Sequence, residues 1–170
     1  GEEGGGFAIS QARLGPGRIH HCMRAIGMAE RALELTCRRA LARSTFGKPL
    51  ADQGVIQEWI AEARVRIEQA RLLVLKTAWL MDTQGAFSAS VKVSMCNYWA
   101  NRLCCEAADR AMQVHGGLGY SRHKPFEHIY RHHRRYRITE GAEEIQMRRV
   151  AGYMFGFMRQ RAPKGVTENG

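Results

Sequence analysis

The sequence is poor in proline, in aromatic residues and in long apolar runs, and each scarcity closes off a class of protein. Its four prolines, Pro16, Pro49, Pro125 and Pro163, leave long stretches free of helix breakers. The apolar runs at 72–75 and 78–81 are separated by Lys76 and fall far short of the ~20 residues a membrane-spanning helix needs. Gly1-Glu2-Glu3-Gly4-Gly5-Gly6 lacks the basic-then-apolar pattern of a secretory signal. The five cysteines (Cys22, Cys37, Cys96, Cys104, Cys105) are odd in number and show no C-x-x-C spacing. They read as reduced core thiols of a cytoplasmic or mitochondrial-matrix protein. Cys104 and Cys105 are adjacent on an expected helix and point about 100° apart, so a bond between them needs a distorted geometry.

Acid is scarce relative to base: 26 Lys and Arg face 16 Asp and Glu, a formal charge of +10. With 45% hydrophobic residues the chain can still bury a core, which excludes whole-chain disorder. The excess of base invites a polyanionic partner, and Arg131-His132-His133-Arg134-Arg135 is its densest expression. A nucleic-acid interface is disfavoured because only Tyr130 and Tyr136 interleave the charge and no helix-turn-helix or zinc-finger spacing accompanies it. A solvated face and a phosphate-rich cofactor remain open. His128 and His132 stand at i, i+4, a spacing that suits two metal ligands, but their arginine neighbours repel a cation and no metal site is assigned.

The periodicity is helical throughout. Ile19, Cys22, Met23, Ile26, Ala29, Ala32 and Leu33 predict a first helix over about 15–42, with Pro16 in its first turn. Val55, Trp59, Ala63, Ile67, Ala70, Val74, Leu75, Ala78 and Met81 predict a second helix that Gly85 ends. A third begins near Ser88 and carries Val91, Met95, Trp99, Leu103, Ala107, Ala111 and Val114 to the stop at Gly116-Gly117-Leu118-Gly119. A short basic helix over 128–135 and a last helix over 143–161, with Ile145, Val150, Tyr153, Met154 and Phe157 inward, complete the set. Three long helices and a split fourth give an all-α, antiparallel up-and-down four-helix bundle over 15–162, with a flexible segment at 1–14 and a disordered tail at 163–170.

Two short segments carry chemistry beyond helix punctuation. Gly116-Gly117-Leu118-Gly119 follows a helix and lacks G-x-G-x-x-G spacing, so alone it reads as a helix stop, although glycine also lets a phosphate approach the backbone. In Arg137-Ile138-Thr139-Glu140-Gly141-Ala142-Glu143, Thr139 suits an N-cap with Glu143 beyond it, which leaves Glu140 over. A carboxylate there, between Ile138 and Ala142, can project into a cavity as a general base or can sit in a first helical turn favoured by the dipole.

In order along the chain, Arg43-x-x-Phe46-Gly47-Lys48-Pro49-Leu50, Gln113-x-x-Gly116-Gly117-x-Gly119-Tyr120 and Glu140-Gly141 with Ile145-Gln146 resemble the C-terminal bundle of the acyl-CoA dehydrogenases. Residues 13–24, Arg-Leu-Gly-Pro-Gly-Arg-Ile-His-His-Cys-Met-Arg, look most like the subfamily of human members ten and eleven. The resemblance implies an FAD-dependent oxidoreductase that removes two hydrogens from Cα and Cβ of an acyl-CoA. By the same resemblance Glu140 is the catalytic base, Arg18 and Gly141 touch substrate, and Arg43, Phe46, Gln113, Gly116 and Gly117 bind FAD across a subunit boundary. A homodimer or homotetramer is implied, as is an electron-transferring flavoprotein as acceptor. Some relatives place the base at the start of the first helix, where Gly15, Pro16 and Gly17 offer no carboxylate. Thr139 stands where an aromatic residue commonly precedes the base, and no FAD contact is assigned to Ala142, Glu144, Gly54 or His132. The resemblance also implies two further domains, so this polypeptide reads as an excised portion, inactive by itself. The alternatives are a standalone helical oligomerisation or binding module without flavin and, less favoured, a basic nucleic-acid binder.

Overall fold

The computed structural model describes residues 1–157 of the chain. It is all-helical apart from one two-residue hairpin. Helix α1 spans Gly6–Ala42, α2 Gly54–Gln84, α3 Ser90–His115, α4 Gly117–Tyr120, α5 Phe126–Arg134 and α6 Glu143–Met154. Helix α3 is the hub: it packs against α1, α2, α5 and α6, while α1 also packs on α2. Three long helices and a fourth split into α5 and α6 form the expected bundle.

The core is built from small side chains. Ala25, Ala29 and Ala32 of α1, Ala63 and Ala70 of α2, and Ala100, Ala108 and Ala111 of α3 are all buried, with Cys22, Cys96 and Cys104 among them. Small residues on facing stripes let helix backbones approach closely, and Ile67, Leu103 and Phe126 fill the gaps between layers. All five cysteines are free thiols, four of them buried. Burial pushes the Cys104 thiol far above its ordinary range and Cys96 up to about 11. Inert packing follows, since the thiolate is the reactive form. Buried hydroxyls are satisfied locally, Thr36 Oγ1 donating to the Ala32 carbonyl at 2.8 Å and Thr77 Oγ1 to that of Leu73 at 2.7 Å.

Several expectations give way. Helix α1 begins at Gly6, nine residues before the expected Gly15, so most of the segment at 1–14 forms its first turns and Pro16 lies inside it. Proline removes one intrahelical bond, and Phe7 to Leu14, in which Ala8, Gln11, Ala12, Arg13 and Leu14 are good helix formers, carry the helix across that gap. Met23, Val55 and Leu75, expected inward, are exposed, and Ile56 is buried where Val55 was expected. The buried stripe of α2 runs Ile56, Ala63, Ile67, Ala70, Val74, Thr77, in phase with a 3.6-residue repeat. Thr139 caps nothing: it lies in a turn, and Ala142 occupies the N-cap of α6.

The largest inversion is in α6. Ile145, Tyr153, Met154 and Phe157, expected inward, are exposed, whereas the polar Glu143 and Gln146 are buried. Glu143 is seized by two guanidiniums: Arg137 donates at 2.7 and 2.8 Å, and Arg102 of α3 at 3.0 and 3.1 Å. These fork-like pairs draw the helix start inward and turn its apolar side out. Helix α6 ends at Met154 and 155–157 form a turn, so the expected helix to 161 already stops short; 158–161 and the tail at 163–170 lie outside the described residues.

Between α1 and α2, β1 (Ser44–Thr45) and β2 (Lys48–Pro49) pair antiparallel about Phe46 and Gly47. Both turn residues have positive φ, 51° and 80°, the backbone of a two-residue hairpin turn. Glycine adopts it freely; Phe46 does so under strain, with its ring fully in solvent.

Candidate functional site

The chemistry-bearing residues gather into two separate hollows. The first is a cavity of about 850 Å³ between the N-terminal turns of α1, the α2–α3 connection and the segment 140–149. Its wall is mostly apolar, from Phe7, Leu14, Phe87, Val93 and Ile145, and its polar groups are few: Arg18, Glu140, Gln146 and Arg149 chief among them. An apolar hollow with a small set of convergent polar groups is the usual form of a small-molecule site.

Glu140 is held through both its backbone and its side chain. Its backbone is left-handed at φ 59° and is followed by Gly141 at φ 95°. A side chain at 141 is barred twice, by that φ and because a Cβ would lie 2.7 Å from Gln146 Nε2. The Glu140 carbonyl accepts both arms of Arg18, Nε at 2.9 Å and Nη2 at 2.7 Å, while Gln146 Nε2 donates to the Gly141 carbonyl at 3.0 Å. Burial lowers the Arg18 guanidinium from its ordinary value, and the Glu140 charge opposes that shift. The carboxylate itself meets His21, Nε2 lying 2.6 Å from Oε1. Its other oxygen, Oε2, is buried without a partner, beside the space left open by Gly17.

Arg18, Glu140 and Gly141, singled out in the sequence, therefore line one cavity. The sequence assigns no role to His21 or Gln146. Arg18 and His21 are three residues apart and share a helix face, so the sequence did contain the signal that both can meet one partner. Gln146 stands in the motif with Glu140-Gly141, but no pattern in the sequence shows that it reaches back five residues to a backbone carbonyl.

The second hollow, about 580 Å³, runs between the end of α1, the start of α2 and the α3–α4 junction. Arg43, Gln113, Gly116 and Gly117, four of the five residues expected to act together, line it. Phe46 does not; its exposed ring stands off at the hairpin tip. Cβ atoms at Gly116 or Gly117 would meet nothing within 4 Å, so both glycines open onto the groove. Gly119 differs, since a Cβ there would lie 2.6 Å from the Met112 carbonyl oxygen. Arg39, a further cation that no sequence motif marks, lines the same groove with its Nε buried and unpartnered.

The basic run of α5 is not one solvated face. His133 is buried, which pulls its imidazole down to about 4, and Arg24 Nη2 lies 2.9 Å from His132 Nε2. His128 and His132 stack at 5.9 Å, and among the described residues no three His, Cys, Asp or Glu side chains are placed to hold a metal ion. No helix among the described residues is long and apolar enough to cross a membrane.

These features define first a class: an all-α bundle domain with an acid-bearing apolar cavity and a distinct cationic groove, a fold shared with butyryl-CoA dehydrogenase of Megasphaera elsdenii (33% identity, TM-score 0.84, covering 91% of this chain and 40% of that one). The chain belongs to the acyl-CoA dehydrogenase family, whose C-terminal domain model matches residues 4–155. FadE2 of Mycobacterium tuberculosis is 53% identical over 151 residues, 89% of this chain and 37% of that protein. Acyl-CoA dehydrogenase family member 11 of Rattus norvegicus is 47% identical over 149 residues, 88% of this chain and 19% of that protein. The chain thus spans well under half the length of these relatives.

Proposed function

We propose that this chain supplies the catalytic base and part of the cofactor groove of an FAD-dependent acyl-CoA dehydrogenase. The observation that carries the reading is Glu140: a carboxylate on the wall of an apolar cavity, with its backbone pinned by Arg18 and one carboxylate oxygen free. The cavity takes the acyl part of the thioester. Glu140 removes the Cα proton, and its own N–H, which has no backbone or side-chain acceptor among the described residues, donates to the thioester oxygen as negative charge develops there. Arg18 and Gly141 hold this loop against the substrate. FAD, when bound, supplies the acceptor for the hydride that leaves Cβ.

The groove suits a dinucleotide diphosphate. Arg43 and the unpartnered Arg39 Nε offer charge-assisted donors, Gln113 an amide, and Gly116 and Gly117 an unobstructed backbone. Phe46 packs against a cofactor held by a neighbouring subunit, which accounts for an aromatic ring left wholly in solvent. A homodimer or homotetramer follows, with acyl-CoA as substrate and an electron-transferring flavoprotein as acceptor.

The test is an FAD titration of the 170-residue chain followed by flavin fluorescence, with sedimentation at the same concentrations. Saturable binding by a dimer or larger assembly is expected, weakened in Arg43→Ala. Equal binding by Arg43→Ala overturns the assignment of the groove.

A further inference from the structure

Among the described residues His21 is the one side chain hydrogen-bonded to the Glu140 carboxylate, and its ring is packed by aromatic neighbours. Its ring stacks on Tyr136 at 4.3 Å and 29°, and the Tyr136 hydroxyl accepts N–H bonds from Arg24 at 3.0 Å and Arg135 at 2.8 Å. Tyr136 is 5% exposed, so this stack is a buried platform. His20 meets the ring edge-on from the same helix, and His132 and His133 of α5 pack around Tyr136. At the other edge of the ring Nδ1 is buried without a partner, and at the far side of the carboxylate Glu140 Oε2 is likewise alone.

This asymmetry assigns the proton. A ring protonated at both nitrogens buries an unpaired N–H at Nδ1, whereas a ring protonated only at Nε2 leaves there only an unpaired acceptor. Resting on the reading of Glu140 as base, we propose that His21 is its positioning residue: an imidazole that carries its proton at Nε2 donates to Glu140 Oε1 and fixes the carboxylate at the cavity wall. In the step the Cα–H bond breaks, its proton passes to the Glu140 carboxylate and its electron pair forms the Cα=Cβ bond, the Cβ hydride being what a bound FAD would accept. His21 gains and loses nothing. It fixes one torsion of a side chain whose backbone Arg18 and Gln146 already hold.

Two measurements test this. Long-range proton–nitrogen NMR of the histidine-labelled chain, which needs neither flavin nor turnover, is expected to show His21 protonated at Nε2 and bare at Nδ1, and to lose that preference in Glu140→Ala. A proton on Nδ1 in the wild type, alone or with one on Nε2, overturns the proposal. In a preparation that dehydrogenates acyl-CoA, His21→Asn, whose amide is too short to reach, is expected to lower kcat by about 10- to 100-fold with little change in KM. His21→Gln, whose amide N–H falls near the Nε2 position, is expected to recover most of that loss. Wild-type kcat in His21→Asn, or no recovery in His21→Gln, overturns the role. If Glu140→Gln keeps turnover, it is the base assignment that has failed; if Glu140→Gln is inert while His21→Asn is unaffected, only the positioning role has.

Discussion

The two hollows are built by opposite means. Around Glu140 the groups that hold the loop are committed to others of the same chain: Arg18 to a carbonyl, Gln146 to the next one, His21 Nε2 to the carboxylate, Glu143 just beyond to two arginines, while Glu140 Oε2, His21 Nδ1 and Arg149 Nε stay unpartnered. The groove at Gly116 is the reverse, with cationic and amide groups on an open wall, glycines facing space, and an aromatic ring in solvent nearby. On the proposed reading a carboxylate that takes a proton must be held to a fraction of an ångström, which a scaffold drawn from this chain alone supplies. A site that clasps a charged ligand gains most of its energy on binding, and its donors stay unspent until the ligand arrives. One region is preorganised and the other is complementary.

The comparison breaks most visibly at Glu140. Glu140→Gln keeps the size of the side chain and cannot accept the Cα proton, so acyl-CoA dehydrogenation is expected to fall by about 10³-fold or more while FAD retention in the other hollow is unchanged. Steady-state assay beside flavin content checks both halves.

Next in size is the clasp on Glu143. Its carboxyl is held at about 2, first by the Arg137 bond and then by that of Arg102. The folded value lies below the ordinary 4.5, so the stabilisation is complete above the ordinary value and drains away as pH falls from about 4.5 toward 2. Glu143→Gln is expected to cost about 3 kcal/mol at neutral pH and to flatten the stability profile across that window, read by denaturant melts. An unchanged profile places the acid sensitivity elsewhere.

The glycines sharpen the contrast within one loop. Gly119→Ala forces a Cβ against backbone and is expected to cost about 2 kcal/mol of stability. Gly117→Ala meets open space, so its melt is expected within about 0.5 kcal/mol of wild type while FAD binding weakens. The smallest effect is expected for Arg43→Ala, exposed at the end of α1: folding unaltered, FAD affinity lowered about tenfold by titration.

Much of this was legible in the sequence, and unevenly so. The interior stripe of α3 and the stop at Gly116 follow from periodicity and punctuation, because this helix is buried along most of its length and its apolar residues have one destination. Helix α6 was misread because its inward residues are polar and its partners lie 6 and 41 residues away, which no periodic pattern encodes. At Pro16 the local rule was sound and the neighbours overrode it. In the sites, Arg18, Glu140 and Gly141 were found through ordered motifs, whereas His21 and Arg39 needed three dimensions: each sits on a helix face whose partner comes from a distant part of the chain or is a ligand.

The most direct test of Glu140 as base separates proton removal from hydride transfer. Acyl-CoA is incubated in D2O with flavin-loaded enzyme, wild type or Glu140→Gln, and deuterium at Cα is read by mass spectrometry. Incorporation by the wild type and its loss in Glu140→Gln, with the bundle still folded, is the result expected here; incorporation at the wild-type rate by Glu140→Gln would place the base on another residue.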